Sequence, residues 1–285
     1  MANLRDLRRR IRSVRSTQQL TKAMKMVSAA RLRRAQDAIL AARPYARKLQ
    51  EVLSSLAARS RPELHPLLAE REPKAVEIVV VSADRGLCGS FNSNVLKRSL
   101  ALAREHGERL RGLHLIGRKG RDFFRRRGVA ILSERVDQYR GLDYARAADM
   151  ARALAERFAA GTVDAVYVAY NEFKSIAQQR VSVERLLPVE RLALSSRGRP
   201  LDYLYEPAPE QLLARLLPLH VEFQFFRVLL ESVAAEQAAR MAAMDSATHN
   251  ATDMITSLTL HLNRVRQAAI TKELIEVISG AGALA

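Results

Sequence analysis

The sequence predicts an α/β protein in which a long antiparallel two-helix coiled coil, formed by the N- and C-terminal segments, is joined to a small Rossmann-like α/β domain. Three observations predict this fold. The last sixty-odd residues carry an unbroken apolar heptad pattern, the first sixty carry a shorter one, and the segment between them alternates strand-like and helix-like stretches. Because neither terminal helix can bury its apolar seam alone, we expect the two helices to pair.

The C-terminal pattern is the strongest helical signal in the chain. Steps of three and four residues connect nine positions, apolar except for one threonine: Met241, Met244, Thr248, Ala251, Ile255, Leu258, Leu262, Val265 and Ala269. A helix over 219–279 would be roughly 90 Å long at 1.5 Å per residue, so we expect it to project from a compact domain. Between Met241 and Leu262 it has no Lys or Arg. Such a surface fits contact with surrounding protein or the inside of a larger helix bundle.

The N-terminal segment, residues 1–60, is predicted to form the partner helix. Its seam begins with four apolar residues at the same spacing: Leu4, Leu7, Ile11 and Val14. The register then passes through the polar Gln18 and Thr21, and we expect the neighbouring Leu20, Met24 and Val27 to continue the apolar line. Further along, Pro44 is expected to kink or re-cap the helix, since proline has no amide hydrogen to donate.

The middle of the chain predicts the α/β domain, over 74–190. Short apolar runs typical of strands occur at 76–82, 113–116, 129–132 and 165–170, and an extended segment follows at 179–187. Helical patterns separate the runs, which indicates a mostly parallel sheet. Prolines mark a break at 60–73, and residues 191–218 are predicted to be a linker with a short helix at 211–217, followed by the C-terminal helix over 219–285.

Charge is unevenly distributed along the chain. The net charge is +17, and residues 1–60 hold fifteen Lys or Arg against three Asp or Glu, whereas residues 220–285 hold five against seven. A basic helix of this kind is typical of contact with nucleic acid, an anionic membrane or an acidic protein surface. The basic helix has no aromatic residue before Tyr45 for base stacking and no recognisable DNA- or RNA-binding motif.

No catalytic, cofactor or metal site is predicted. The turn Gly86-Leu87-Cys88-Gly89 follows a strand and opens a helix, where a nucleotide could bind, but it lacks the remaining residues of a dinucleotide or phosphate-loop motif. Cys88 could be a nucleophile, although a partly buried thiol is favoured, and Asp84 with Arg85 is favoured as a helix cap with a surface charge. The six histidines show no metal-ligand spacing. No run of eighteen apolar residues predicts a transmembrane helix.

Several stretches resemble the gamma subunit of the F-type, proton-translocating ATP synthase. They occur in order along the whole chain: Ile11–Val14, Thr17–Val27, Ser82–Gly89, Asp202–Pro207, Glu236–Met244 and Asn263–Leu274. The resemblance implies a non-catalytic central-stalk rotor, whose two terminal helices turn inside a ring of three alpha and three beta subunits. It also implies that the α/β domain sits beside the epsilon subunit and the membrane ring of c subunits, and that rotation couples proton flow to ATP synthesis and hydrolysis.

The resemblance also implies contact residues. Met24 and Lys25 correspond to the segment facing acidic loops of the beta subunits, and Arg85 and Cys88 to the turn close to the same loops. Three residues correspond to the upper shaft, where contacts to the ring form and break: Arg266, Gln267 and Thr271. Tyr203 and Tyr205 correspond to the foot near epsilon and the c-ring. The implied location is the cytoplasmic face of a bacterial plasma (inner) membrane, held there peripherally by these partners.

Two alternatives stay open from the residues alone. The basic N-terminal helix would also suit a nucleic-acid-binding coiled coil, for which salt-sensitive DNA binding beyond that of a basic control protein would be the sign. The Gly86–Gly89 turn would suit a small α/β enzyme, for which saturable binding of a nucleotide would be the sign.

Overall fold

The computed structural model describes residues 4–57, 65–137, 142–176, 178–190 and 206–282, with the backbone alone at Pro209 and 280–282. Its helices and strands are, in order, α1 (Leu4–Ala57), β1 (Val76–Val81), α2 (Phe91–His106), β2 (Leu110–Ile116), α3 (Arg118–Phe124), β3 (Ile131–Arg135), α4 (Tyr144–Ala159), β4 (Ala165–Phe173), β5 (Gln179–Leu187) and α5 (Pro209–Gly282). Two long terminal helices around an alternating strand–helix segment confirm the predicted fold class.

The five strands form one sheet in the order β3-β2-β1-β4-β5. The pairs β1–β2, β1–β4 and β2–β3 are parallel, and β4–β5 is antiparallel. All six residues of the central strand β1 are buried, as its apolar sequence, interrupted only by Glu77, predicts for a strand covered on both faces. The carboxyl ends of the parallel strands therefore meet at one edge of the sheet, and their amino ends meet at the opposite edge.

The two faces of the sheet have separate apolar cores. Val79 and Val81 face a core that includes α4 and residues of both terminal helices, among them Leu53 and Phe225. The alternate residues of β1 face a core built with α2 and α3. Alternation along the strand thus assigns successive β1 residues to opposite layers.

A buried carboxylate joins α4 to the sheet. Glu77 of β1 is fully buried, and its Oε2 lies 2.9 Å from Nε2 of His114 on β2. Arg157 of α4 donates to the same carboxylate through Nε, 3.1 Å from Oε1, and through Nη2. His114 in turn bonds the hydroxyl of Ser133 on β3 at 2.7 Å. The charge on Glu77 is therefore paired and hydrogen-bonded, as burial requires.

Glycines at the start of α3 serve close packing. Gly117 has φ +94°, and a Cβ there would lie 1.9 Å from the carbonyl oxygen of Ser82. The hydroxyl of Ser82 accepts a hydrogen bond of 2.8 Å from the amide of Gly120. This pair of glycines therefore lets α3 approach the end of β1.

The C-terminal helix begins earlier than expected. Residues 211–217, predicted as a short helix within a linker, are the first turns of α5, and Pro218 lies inside it. Proline leaves the carbonyl four residues before it, that of Ala214, without its usual donor. The backbone of Ala214 acts to raise the pKa of His65, although burial of the ring lowers that pKa overall. The rest of the predicted linker, 191–205, lies outside the described residues.

The chain divides into two compact units. The first comprises 1–28 and 241–285, and the second comprises 29–240, which includes the sheet. In the first unit, all nine predicted seam positions of α5, from Met241 to Ala269, are buried or half-buried, which confirms the heptad pattern.

The predicted continuation of the α1 seam is wrong. Leu20, Met24 and Val27 are exposed, whereas the polar Thr21 and Ser28 are buried. The seam of α1 keeps its three-four spacing straight through polar residues, because helix geometry and not hydropathy fixes which side chains face the partner. Pro44, which lies in the second unit, does not end α1.

Candidate functional site

Three polar pairs form a block in the seam of the first unit. The Gln18 side chain donates to the hydroxyl of Thr252 at 2.7 Å, the hydroxyls of Thr21 and Thr248 are 2.7 Å apart, and Lys25 Nζ lies 2.6 Å from Asp245 Oδ1. Residue numbers rise on one helix as they fall on the other, so the two helices are antiparallel. We call these six residues the polar block.

The charged pair at the end of the polar block is only half-buried. Lys25 and Asp245 each keep 42% of their side-chain surface exposed. The hydrogen bond from Lys25 lowers the pKa of Asp245. Because both groups remain accessible to water, the ammonium of Lys25 can also reach a second, external carboxylate.

Apolar side chains next to the polar block point to solvent. Met24 is 42% exposed, and Leu20, Met26 and Val27 are more exposed still. The spacing 20–24–27 places three of them on one face of α1. We call Leu20, Met24 and Val27 the α1 apolar face; an apolar surface of this kind indicates a protein contact.

A second exposed surface occupies the last turns of α5. Arg266, Gln267 and Thr271 are all exposed, and the Thr271 hydroxyl donates to the carbonyl of Gln267 at 3.0 Å within the helix. Five large apolar residues share this stretch and are also exposed: Ile270, Leu274, Ile275, Val277 and Ile278. This part of the helix therefore combines polar and apolar groups that have no partner among the described residues of the chain beyond local helix bonds and the Lys272–Glu276 pair.

In the second unit, the turn between β1 and α2 is held by hydrogen bonds from several elements. Asp84 Oδ1 accepts from the backbone amides of Arg118 and Asp137, at 2.9 and 3.0 Å. Asn92 Oδ1 accepts from the amide of Ala83 at 3.0 Å. From α5, Arg240 Nη2 donates to the carbonyl of Gly86 at 3.2 Å. The turn is therefore rigidly attached at the carboxyl edge of the sheet.

The tip of this turn carries an exposed apolar side chain. Leu87 has φ +61°, a conformation that is uncommon for residues other than glycine, and it is 63% exposed. Its neighbour Arg85 is also exposed. The fixed backbone thus presents Leu87 and Arg85 to solvent together.

Cys88 lies beneath the same turn. It is buried, and its sulfur accepts a hydrogen bond of 3.1 Å from the Asn92 side chain. Burial raises the pKa of the thiol, although the positive charge of Arg240 acts in the opposite direction. A protonated, inaccessible thiol is a poor nucleophile. Cys88 therefore packs beneath the turn, whereas Arg85 and Leu87 are exposed on it.

No group of three or more His, Cys, Asp or Glu side chains in the described ranges could hold a metal ion. Within the same ranges, no helix combines the length and apolar character needed to cross a membrane.

Comparison with known proteins gives a match over nearly the whole sequence. The family described as ATP synthase matches residues 3–284. The chain is 52% identical over 289 residues to the ATP synthase gamma chain of Anaeromyxobacter dehalogenans (strain 2CP-C), with all of both chains covered. It is 50% identical over 284 residues to the ATP synthase gamma chain of Desulforamulus reducens, again with full coverage. The chain belongs to the family of ATP synthase gamma chains.

Solved structures agree with this family assignment. A chain of the Tetrahymena thermophila mitochondrial ATP synthase, from its central stalk and c-ring, is 27% identical with a TM-score of 0.62, covering 80% of this chain and 99% of that one. A chain of the Euglena gracilis mitochondrial ATP synthase is 19% identical with a TM-score of 0.68, covering 99% and 94%, and shows the same fold. The gamma chain is a central-stalk rotor subunit, and no comparison supports the nucleic-acid-binding alternative.

Five of the contact residues expected from resemblance are exposed: Met24, Arg85, Arg266, Gln267 and Thr271. Lys25 is half-buried in the polar block, and Cys88 is fully covered. Tyr203 and Tyr205 lie outside the described residues. Sequence reasoning missed Asp245, which pairs with Lys25, and Leu87 at the tip of the turn. The positive φ of Leu87 has no signal in the sequence beyond the nearby Gly86 and Gly89.

Proposed function

We propose that this gamma chain is a non-catalytic shaft. In this proposal the helix pair of the first unit turns inside a ring of three alpha and three beta subunits. Residues 74–190 form a foot that meets the epsilon subunit and the c-ring, and rotation couples ion flow to ATP synthesis and hydrolysis. The N-terminal helix (1–60), the linker (191–208) and the C-terminal helix (209–285) complete this organisation. The full-length family match carries the proposal, since it covers both terminal helices and the sheet.

The polar block and the α1 apolar face would form the lower contact between shaft and ring. Met24 would supply an apolar contact, and Lys25 would attract acidic loops of the beta subunits. Because Lys25 already has Asp245 at 2.6 Å, its attraction to an external carboxylate is partly offset. Such a contact can form and break as the shaft turns without holding the rotor in one position.

The upper contact would involve Arg266, Gln267 and Thr271. The surrounding exposed apolar side chains, Ile270 to Ile278, suit an apolar sleeve. Between Met241 and Leu262, α5 has no Lys or Arg, so few strong ion pairs would resist rotation there.

The turn at the carboxyl edge of the sheet would be a further contact with the beta subunits. Arg85 would supply the charge, and Cys88 would support the turn from below. Tyr203 and Tyr205 are proposed as foot contacts with epsilon and the c-ring on resemblance alone. The assembled complex would hold the chain peripherally at the cytoplasmic face of a bacterial inner membrane.

Reconstitution tests the proposal directly. The full chain would be mixed with alpha and beta subunits from the same source, and assembly size and ATPase rate would be measured. We expect one complex with three alpha, three beta and one gamma subunit, and an ATPase rate well above that of the separate subunits. ATPase activity of the chain by itself, or a chain that stays separate from alpha and beta, would contradict the proposal.

Variants then locate the contacts within the reconstituted complex. Arg85→Ala should lower the ATPase rate, whereas Lys97→Ala, which removes an exposed cation from α2, should leave it unchanged. Met24→Asp should act like Arg85→Ala, because it places a charge on the α1 apolar face. If Lys97→Ala lowered the rate as much as Arg85→Ala, the effect would reflect total charge and not a contact.

A further inference from the structure

The amino edge of the sheet carries a dense positive charge that the rotor contacts do not use. Residues 104–111 hold three arginines against two glutamates, and residues 125–127 are three consecutive arginines. The end of α2, the start of β2 and the turn after α3 all lie at this edge, because the parallel strands begin there. Five arginines lie on these segments, and all of them are exposed: Arg104, Arg109, Arg111, Arg126 and Arg127.

Most of this charge is not neutralised by the chain. None of the five arginines forms an ion pair with a described residue, and the nearby acids Glu105 and Glu134 are paired by Arg98 and Arg125 instead. Glu108 is the remaining acid of the turn before β2 and is exposed. A positive surface without its own counter-charges attracts an external anion.

Two of the arginines line a cleft with an apolar floor. The cleft has a volume of about 240 Å³ and is lined by Leu100, Ala103, Arg104, Leu110, Arg127 and Val129. Four of these six residues are aliphatic. The cleft therefore offers charged rims and an apolar interior.

Arg127 is held in place at the rim of the cleft. Its guanidinium lies 3.4 Å from the centroid of the Phe123 ring, and Nη1 donates to the carbonyl of Phe123 at 2.7 Å. A stacked and hydrogen-bonded guanidinium loses little further freedom when it binds an anion, and its remaining N–H groups match the oxygens of a phosphate. Arg104, on the last turn of α2, supplies a second cation to the same cleft.

The ligand chemistry follows from this combination. Two guanidinium groups at the rim favour a phosphate diester, and the aliphatic floor favours an apolar chain attached to it. The cleft has no aromatic side chain among its described lining residues on which a base could stack, which disfavours single-stranded nucleic acid as its ligand. We propose that the cleft binds the phosphate headgroup of an anionic phospholipid, so that the amino edge of the sheet is a membrane-contacting surface. None of the proposed rotor contacts lies in the cleft, so the two proposals can fail separately.

Vesicle binding by the full chain tests this surface. Co-sedimentation would use phosphatidylcholine vesicles with and without phosphatidylglycerol, at several salt concentrations. We expect binding only to the anionic vesicles. The double variant Arg104→Gln/Arg127→Gln should bind about 25-fold more weakly, since each cation near an anionic membrane contributes about fivefold to binding. The charge-retaining variant Arg104→Lys/Arg127→Lys should keep most of the affinity for the vesicles. That result would show that the weaker binding of the Gln variant does not come from unfolding.

A matched variant distinguishes the cleft from general charge. Arg8→Gln/Arg12→Gln removes the same charge from exposed positions of α1. It should weaken vesicle binding by less than about threefold if the cleft is the site. Equal losses in the two double variants would overturn the proposal, because they would mean that any basic surface of the chain binds.

A fluorophore attached at a single introduced cysteine gives a second, independent readout. Cys88 is buried, so a fluorophore that senses polarity can be attached selectively to Glu108→Cys at the amino edge or to Ser93→Cys at the other end of α2. We expect anionic vesicles to shift the emission of the first probe to the blue and to leave the second unchanged. The reverse pattern would overturn the proposal. The proposal would also be overturned if inorganic phosphate or an oligonucleotide displaced the vesicles at a lower concentration than phosphatidylglycerol micelles do. The ligand would then be a free anion or a nucleic acid.

Discussion

Replacing Arg157 by Met should destabilise the second unit, because the buried carboxylate of Glu77 would lose its ion-pair partner. Glu77 is fully buried on β1, and Arg157 of α4 gives it hydrogen bonds through two nitrogens. Met keeps the length and apolar stem of the side chain. The substitution therefore removes the guanidinium and little else.

The size of the effect follows from the geometry. Breaking a buried ion pair from one side destabilises by about 3–5 kcal/mol. Arg157 keeps 43% of its side-chain surface exposed, and His114 still bonds the carboxylate at 2.9 Å after the change. Water and His114 reduce the effect, so we expect about 2 kcal/mol. For a unit of this size that corresponds to a fall in Tm of roughly 4–8 °C.

The effect should depend on pH in a defined direction. Burial alone would raise the pKa of Glu77, but the hydrogen bonds and charges of His114 and Arg157 outweigh it, and the pKa is lowered. A lowered pKa means that the pair stabilises the fold above the ordinary value of 4.5 and that this contribution is lost as pH falls through the pKa of the folded state. The difference between the native chain and Arg157→Met should therefore be full at pH 7 and shrink in acid.

Urea unfolding of the full chain, followed by circular dichroism, measures this difference. Lys97→Met serves as the control, because it removes an exposed cation that has no ion pair with a described residue, and we expect a change within about 0.5 kcal/mol. A loss for Arg157→Met no larger than that of the control would refute the reasoning, since Glu77 would then not depend on Arg157.

Three further predictions concern other parts of the second unit. Gly117→Ala should destabilise by more than about 3 kcal/mol, measured by urea unfolding, because its Cβ would meet the Ser82 carbonyl at 1.9 Å at a φ of +94°. Burial lowers the pKa of His220 to about 4, so the contribution of the neutral ring to stability is present above pH 6.5 and lost as pH falls toward 4. His220→Gln should therefore make the free energy of unfolding less sensitive to pH in that window. An unchanged pH profile of stability would contradict this. Arg240→Ala should lower the free energy of unfolding by about 3 kcal/mol, because it leaves the buried Glu236 without its partner at 2.7 Å. The same variant should speed the labelling of Cys88 by thiol reagents. An unchanged labelling rate would mean that Arg240 does not hold the turn.

Resemblance to the gamma-chain family identified the positions of the candidate functional residues but not their exposure or their contacts. The resemblance placed Arg85 and Cys88 together in one turn, yet the fold separates them, because the chain at Leu87 takes a positive φ and directs Arg85 outward and Cys88 inward. Besides Asn92 of the adjacent α2, the partners that fix the turn come from α3 and α5, 34 and 154 residues away in sequence. A local pattern holds no information on such contacts.

The sequence by itself determined the elements whose signal is local and repeated. The nine-position seam of α5 follows from a period that any helix must obey, and the apolar run of β1 follows from burial on both faces of a parallel sheet. Only the tertiary structure decided where the polar residues near the seam lie and which residues they contact. It placed Thr21 and Lys25 inside the seam opposite Thr248 and Asp245, and it left Met24 in solvent. The physical reason is that a helix fixes the direction of a side chain, whereas the hydrogen-bond partner that makes a polar residue tolerable there lies more than two hundred residues away.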